Sequence, residues 1–206
     1  MNRRTVLRTL GLPFAAMILL TAVAVPAAAE KVSLKELSRY LNSLTTAEAA
    51  FTQINSDGSI STGKLYIHRP GRMRFEYAPP DRNLVLAGGG QVAIFDAKSN
   101  QPPEQYPLSR TPLSIILEKN VDLSRTKMVV GHEQDGDTTR IRAQDPEHPE
   151  YGSIELVFIS DPTELRQWVI RDDSGSETTM ILGEMKKGAA LKSSLFSITI
   201  AADQRK

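Results

Sequence analysis

From Thr46 onward the chain runs in short segments where apolar and polar side chains alternate, and no other feature of its 206 residues limits the fold as much. Alternation with a period of two puts one set of side chains on each face of a β-strand, so these segments read as strands with one buried face. The runs are 47–55, 63–69, 72–77, 84–87 and 91–96, then 127–133, 138–143, 153–159, 165–171, 177–184 and 196–201. Turn formers stand between many of them: Asp57-Gly58, Pro70-Gly71, Gly88-Gly89-Gly90, Asp135-Gly136 and Ser174-Gly175. Connections this short join antiparallel neighbours. The pattern predicts a mainly β domain of about ten or eleven strands, more than a flat sheet of this size carries, and hence a barrel or a strongly curved sheet.

Two helices interrupt the pattern. Ser33 and Glu36 have the spacing of a capping box, and Leu34, Leu37, Leu41 and Leu44 recur at helical steps to make one apolar stripe. Later, Thr111 is placed as an N-cap before Pro112, with Leu113, Ile116 and Leu117 on one face of a short helix reaching about Asn120.

The first 29 residues differ in kind. Arg3, Arg4 and Arg8 precede an almost wholly apolar run from Leu10 to Val25, Ala27-Ala28-Ala29 follows, and no acidic residue appears before Glu30. A basic start, an apolar middle and small residues before a cut are the parts of a secretory signal peptide, here 1–29, with the domain at 30–206. The run is too short for a bilayer-spanning anchor and contains Pro13. The pair Arg3-Arg4 leaves the export route open between a general and a twin-arginine signal. Cleavage leaves 22 basic against 24 acidic residues, a balance that does not suggest nucleic acid. There is no cysteine, so an exported protein of this sequence has no disulfides and no thiol to carry a lipid of its own.

No constellation for covalent chemistry emerges. No serine sits in a G-x-S-x-G elbow, and His68, His132 and His148 lack a second histidine at metal-ligand spacing. Asp172 and Asp173 are adjacent, which on a strand sends them to opposite faces. The three glycines 88–90 are followed by a strand, not by the helix that a phosphate loop requires. The reading is a non-enzyme without metal or cofactor.

The hairpin 63–77 is the most informative segment. Leu65, Ile67 and Arg69 share one face of its first strand, and Met73, Phe75 and Tyr77 share one face of its second. The opposite face of the second strand carries Arg72, Arg74 and Glu76, which is expected to be the solvated side. Arg69 therefore falls at the end of the inward face, where an unpaired guanidinium is costly unless it is hydrogen-bonded or reaches water.

These residues also carry a resemblance. Phe51-Thr52-Gln53, the run from Gly63 to Tyr77, Pro79-Pro80, Ala87-Gly88-Gly89, Phe95-Asp96, the run from Thr111 to Leu117, Phe196 and the tail from Asp203 to Lys206 occur in an order that resembles the outer-membrane lipoprotein carrier (LolA) family. The resemblance implies an unclosed antiparallel β-barrel with a helical lid over an apolar cavity. It also implies a periplasmic shuttle, acting as a monomer without cofactor. Such a shuttle takes acylated lipoproteins from an ABC-type release complex in the inner membrane to a receptor at the outer membrane. By position Arg69 is the residue that holds the lid closed. Phe51, Leu65, Ile67, Met73, Phe75 and Tyr77 line the cavity, and Leu113, Ile116 and Leu117 belong to the lid. Met73 stands where the family often has an aromatic. A periplasmic domain that senses lipid or lipoprotein on the same fold is the alternative.

Overall fold

The computed structural model describes residues 30–205; the predicted signal peptide and its cut after Ala29 lie outside the described residues. Helix α1 (Leu34–Ser43) starts where the capping pattern places it, with the Glu36 amide donating to Ser33 Oγ at 3.2 Å, and it buries Leu37 and Leu41. The strands follow as β1 (Thr46–Ile54), β2 (Ile60–His68), β3 (Met73–Tyr77), β4 (Leu84–Gly88), β5 (Gln91–Phe95) and β6 (Glu104–Pro107). After α2 (Leu113–Leu117) come β7 (Val129–Asp135), β8 (Thr138–Gln144), β9 (Ser153–Ser160), β10 (Thr163–Arg171), β11 (Glu177–Leu182), β12 (Lys186–Lys187) and α3 (Ile198–Asp203).

The strands form one 12-stranded antiparallel sheet in the order β6-β5-β4-β3-β2-β1-β11-β10-β9-β8-β7, with β12 pairing the start of β1. The first strand and the last long one meet at the middle of the sheet, where β1 pairs β11. The outer strands β6 and β7 do not pair with each other, so the sheet curls without closing. The chain between them, residues 108–128, adds Leu108, Leu113, Ile115, Ile116, Leu117, Val121 and Leu123 to the same buried cluster as the inward strand residues. Register fixes that inward set: Ala49 pairs Leu65, Leu65 pairs Phe75, and Ile67 pairs Met73. Gly63 is the gap in this row. A Cβ there would lie 2.7 Å from the Phe51 ring, so the missing side chain is the space the phenyl ring occupies.

Several expectations are corrected. The predicted strand 196–201 is a 3-10 turn running into α3. Its alternation is real, but Ser197 caps the helix by accepting from the Ile200 amide at 3.3 Å, and Phe196 and Ala201 turn onto the sheet's outer face. Short α2 starts at Leu113 with Pro112 as its cap and stops at Leu117; the Thr111 hydroxyl donates instead to the Leu108 carbonyl. Strands β6 and β12 lack an alternating apolar pattern and went unread. Nor is the outer face of the β2–β3 hairpin simply solvated. There Leu84, Leu86, Ala93, Phe95, Phe196 and Ala201 form a second buried cluster, packed by Tyr66 and Leu195, and Arg74 donates to the Leu195 carbonyl at 2.9 Å.

Candidate functional site

The interior is built by the inward faces of the strands and closed by α1 and residues 108–128. Leu65, Ile67, Met73, Phe75 and Phe51 are buried, and Tyr77 packs against the same cluster. The aromatic rings form a connected row. Tyr77 meets Phe51 at 5.1 Å, Phe51 meets Phe75 at 5.7 Å, and Phe75 meets Trp168, the chain's one tryptophan, at 6.2 Å, all edge to face. The row ends at the rim, where Tyr77 Oη donates to Gln53 Oε1 at 2.5 Å and burial pushes the phenol's pKa up to about 12.

Among the described residues the inward side chains, with Leu113, Ile116 and Leu117 from α2, belong to one continuous buried cluster. Grooves lie elsewhere on the molecule. One groove of about 710 Å³ runs beside α3 between Gly88, Gln105 and Ile198, and one of about 350 Å³ sits at the polar rim near Gln53, Tyr77 and Asp81. Alternation in a sequence says which side chains face inward, not how far apart opposite walls stand.

Arg69 sits in the β2–β3 turn and is 8% exposed. Its guanidinium donates to the carbonyl of Leu41 in the last turn of α1, to the carbonyl of Glu118 at the end of α2, and to Asn42 Oδ1 at 3.3 Å. Carbonyls at a helix C-terminus lack intrahelical donors and carry partial negative charge, so a cation between two such ends is favourably placed. Burial pulls the Arg69 pKa down, and the charge of Glu118 opposes that shift. Arg69 Nε is buried and finds no partner, a cost that works against the bonds its other nitrogens make. The backbone of the same turn touches both covering pieces: the Arg69 amide donates to Thr45 at 2.8 Å, and the Gly71 amide donates to Leu117 at 2.9 Å.

Two residues at this junction escaped sequence reasoning. Asn42 and Ser38 lie on α1 four positions apart, beside the apolar stripe. Asn42 Nδ2 donates to the Val121 carbonyl at 2.8 Å and its Oδ1 accepts from the Val121 amide at 2.9 Å. Ser38 Oγ accepts from the Leu123 amide at 2.9 Å while donating to Leu34 at 2.6 Å. A polar pair at helical spacing against a buried stripe is the signal that was available. Ile115, buried on the remaining face of α2, also went unread.

Residues 42–199 match the model of the family described as outer membrane lipoprotein carrier protein LolA. An outer-membrane lipoprotein carrier protein of Nitrosomonas europaea is 25% identical over 193 residues, covering 89% of this chain and 92% of the relative. One of Chromohalobacter salexigens is 26% identical over 202 residues, covering 93% and 89%. Among solved structures, a LolA superfamily protein from Nitrosomonas europaea matches 81% of this chain and 98% of its own at 10% identity, with a TM-score of 0.43. No helix among the described residues is long and apolar enough to cross a membrane.

Proposed function

Because the chain belongs to the outer membrane lipoprotein carrier protein LolA family, we propose that it is a periplasmic, non-enzymatic carrier. On this reading it takes the acyl chains of lipoproteins between its inward sheet face and its lid. It receives them from an ABC-type release complex in the inner membrane and gives them to a receptor at the outer membrane. Arg69 carries the reading. A single guanidinium bonds the ends of both covering helices, beside the larger of the two buried apolar clusters. Opening the lid breaks bonds of roughly 1.5–3 kcal/mol each, as usual for hydrogen bonds to charged groups.

Handing cargo on limits how tightly such a site can hold it. Each buried methylene contributes about 0.8 kcal/mol, so several acyl chains entering a ready-made void would approach the ceiling of noncovalent affinity, near ~20 kcal/mol. Cargo held that tightly would not be passed on. Chains that must displace Leu113, Ile116, Leu117 and the thioether of Met73 gain only the difference between their contacts and those already made. Unbranched methionine side chains tolerate such rearrangement, and Met73, Met180 and Met185 all lie in the cluster.

The test is transfer. The purified protein is offered acylated lipoprotein from inner-membrane vesicles and then presented to outer-membrane vesicles. The wild type is expected to acquire and deliver it, Arg69→Leu to acquire but retain it, and Phe75→Glu to acquire little. Normal delivery by Arg69→Leu removes Arg69 from the cycle, and a wild type that acquires no acylated protein removes the carrier reading.

A further inference from the structure

We propose that Asn42 is a positioning residue of the Arg69 latch, and that through it α1 and residues 118–123 move as a single lid. The proposal rests on the carrier reading for its purpose but on hydrogen bonds for its content. The two pieces lie far apart in the chain: Asn42 is 79 positions from Val121, and Ser38 is 85 from Leu123. They are nevertheless joined at two points. The Asn42 side-chain amide holds both the N–H and the C=O of Val121, as a neighbouring strand would, and Ser38 takes the Leu123 amide one turn away. Only a side chain with a donor and an acceptor on one planar group makes the first contact. The same Oδ1 accepts from Arg69, so one amide fixes the relation between the two pieces and orients the cation that bonds them both.

This arrangement has a mechanical consequence. With α1 and the 118–123 segment as separate covers, loss of one Arg69 bond would free one cover and leave the other shut. Stitched together, they leave the turn 69–71 together or not at all. The contacts of that turn with each piece, Arg69 N–H to Thr45 and Gly71 N–H to Leu117, then break in one event.

Amide hydrogen exchange on the cargo-free protein tests this without reference to any ligand, so its failure is distinct from failure of the carrier reading. In Asn42→Ala, exchange is expected to rise roughly tenfold, as for loss of about one hydrogen bond. The rise should appear together at Val121, at Leu123 and at Gly71, although only Val121 bonds Asn42. The β9–β10 amides should stay at wild-type rates. In Asn42→Asp the acceptor for the Val121 amide and for Arg69 is kept while the donor to the Val121 carbonyl is lost, so exchange at Gly71 is expected to rise less than in Asn42→Ala, a partial rescue through Arg69 that a merely structural role would not produce. Ser38→Ala reads the same coupling from the other stitch, through faster exchange at Val121, and stands in if the Asn42 variants do not fold. A change confined to Val121 in Asn42→Ala, or confined to Leu123 in Ser38→Ala, overturns the single-lid proposal.

Discussion

The sheet has two apolar faces, each covered by helix, and the two covers are held in opposite ways. On the outside, α3 and the turn before it lie over β4 and β5 through Phe196 and Ala201 against Leu84, Leu86, Ala93 and Phe95. The approach is close: a Cβ on Gly88 would come within 2.2 Å of the Phe196 carbonyl oxygen. Polar bonds there include Arg74 to Leu195 and Arg205 to the Arg82 carbonyl at 3.2 Å. On the inside, a buried cation from the β2–β3 turn and an amide and a hydroxyl from α1 add to the apolar contacts. Apolar burial gives a cover that stays, since it is lost only by exposing surface to water. A hydrogen-bonded charge gives a cover with a definite closed position and a modest net stabilisation, since its bonds replace bonds to water. On the carrier reading proposed above, one face stays covered and the other is uncovered for cargo.

The comparison breaks most readily at Phe196. Phe196→Ala is expected to cost about 3–5 kcal/mol of global stability, the usual range for emptying a buried aromatic site. Thermal unfolding measures it; a loss below that of any latch variant would mean that the outer cover is dispensable. Next comes the rim of the inner face. Tyr77 is raised to about 12 by burial, so the unfolded chain loses its phenol proton first. Its contribution is whole below pH 10 and falls by about 2–3 kcal/mol as pH rises to 12. Chemical denaturation of the wild type against Tyr77→Phe, which has no such loss, isolates it; parallel alkaline curves would place Tyr77 in water. Arg69→Leu should have the smallest effect on stability, about 1 kcal/mol, because the removed cation brought its own desolvation cost. It should also speed exchange at Gly71 and leave the α3 amides as they were. If α3 loosens as well, the two covers are not independent.

How much of this was legible follows from what alternation and capping encode. The inward residues of β2 and β3, the turn holding Arg69 and the start of α1 all rest on local patterns and were readable. The segment Glu104-Gln105-Tyr106-Pro107 has no apolar alternation, and only its pairing with β5 makes it a strand. The run Phe196-Ser197-Ile198-Thr199-Ile200-Ala201 alternates like a strand, yet its partner is the outer face of a sheet formed much earlier in the chain, and tertiary contact decided its shape. The hydrogen bonds of Asn42 and Ser38 join distant segments, and nothing in their own neighbourhood names Val121 or Leu123. The distance between opposite walls of the interior is likewise not contained in periodicity.

Trp168 offers the most direct measurement of the central claim. It is the one tryptophan of the chain, is 1% exposed, and stands at the inner end of the aromatic row. Adding a long-chain fatty acid brominated along its tail should quench its fluorescence in a saturable way, because the bromines reach the indole only when the chain lies among the inward side chains. Phe75→Glu should reduce the quenching. Fluorescence that stays at its starting level, while the same fatty acid is shown to bind elsewhere on the protein, would contradict the account.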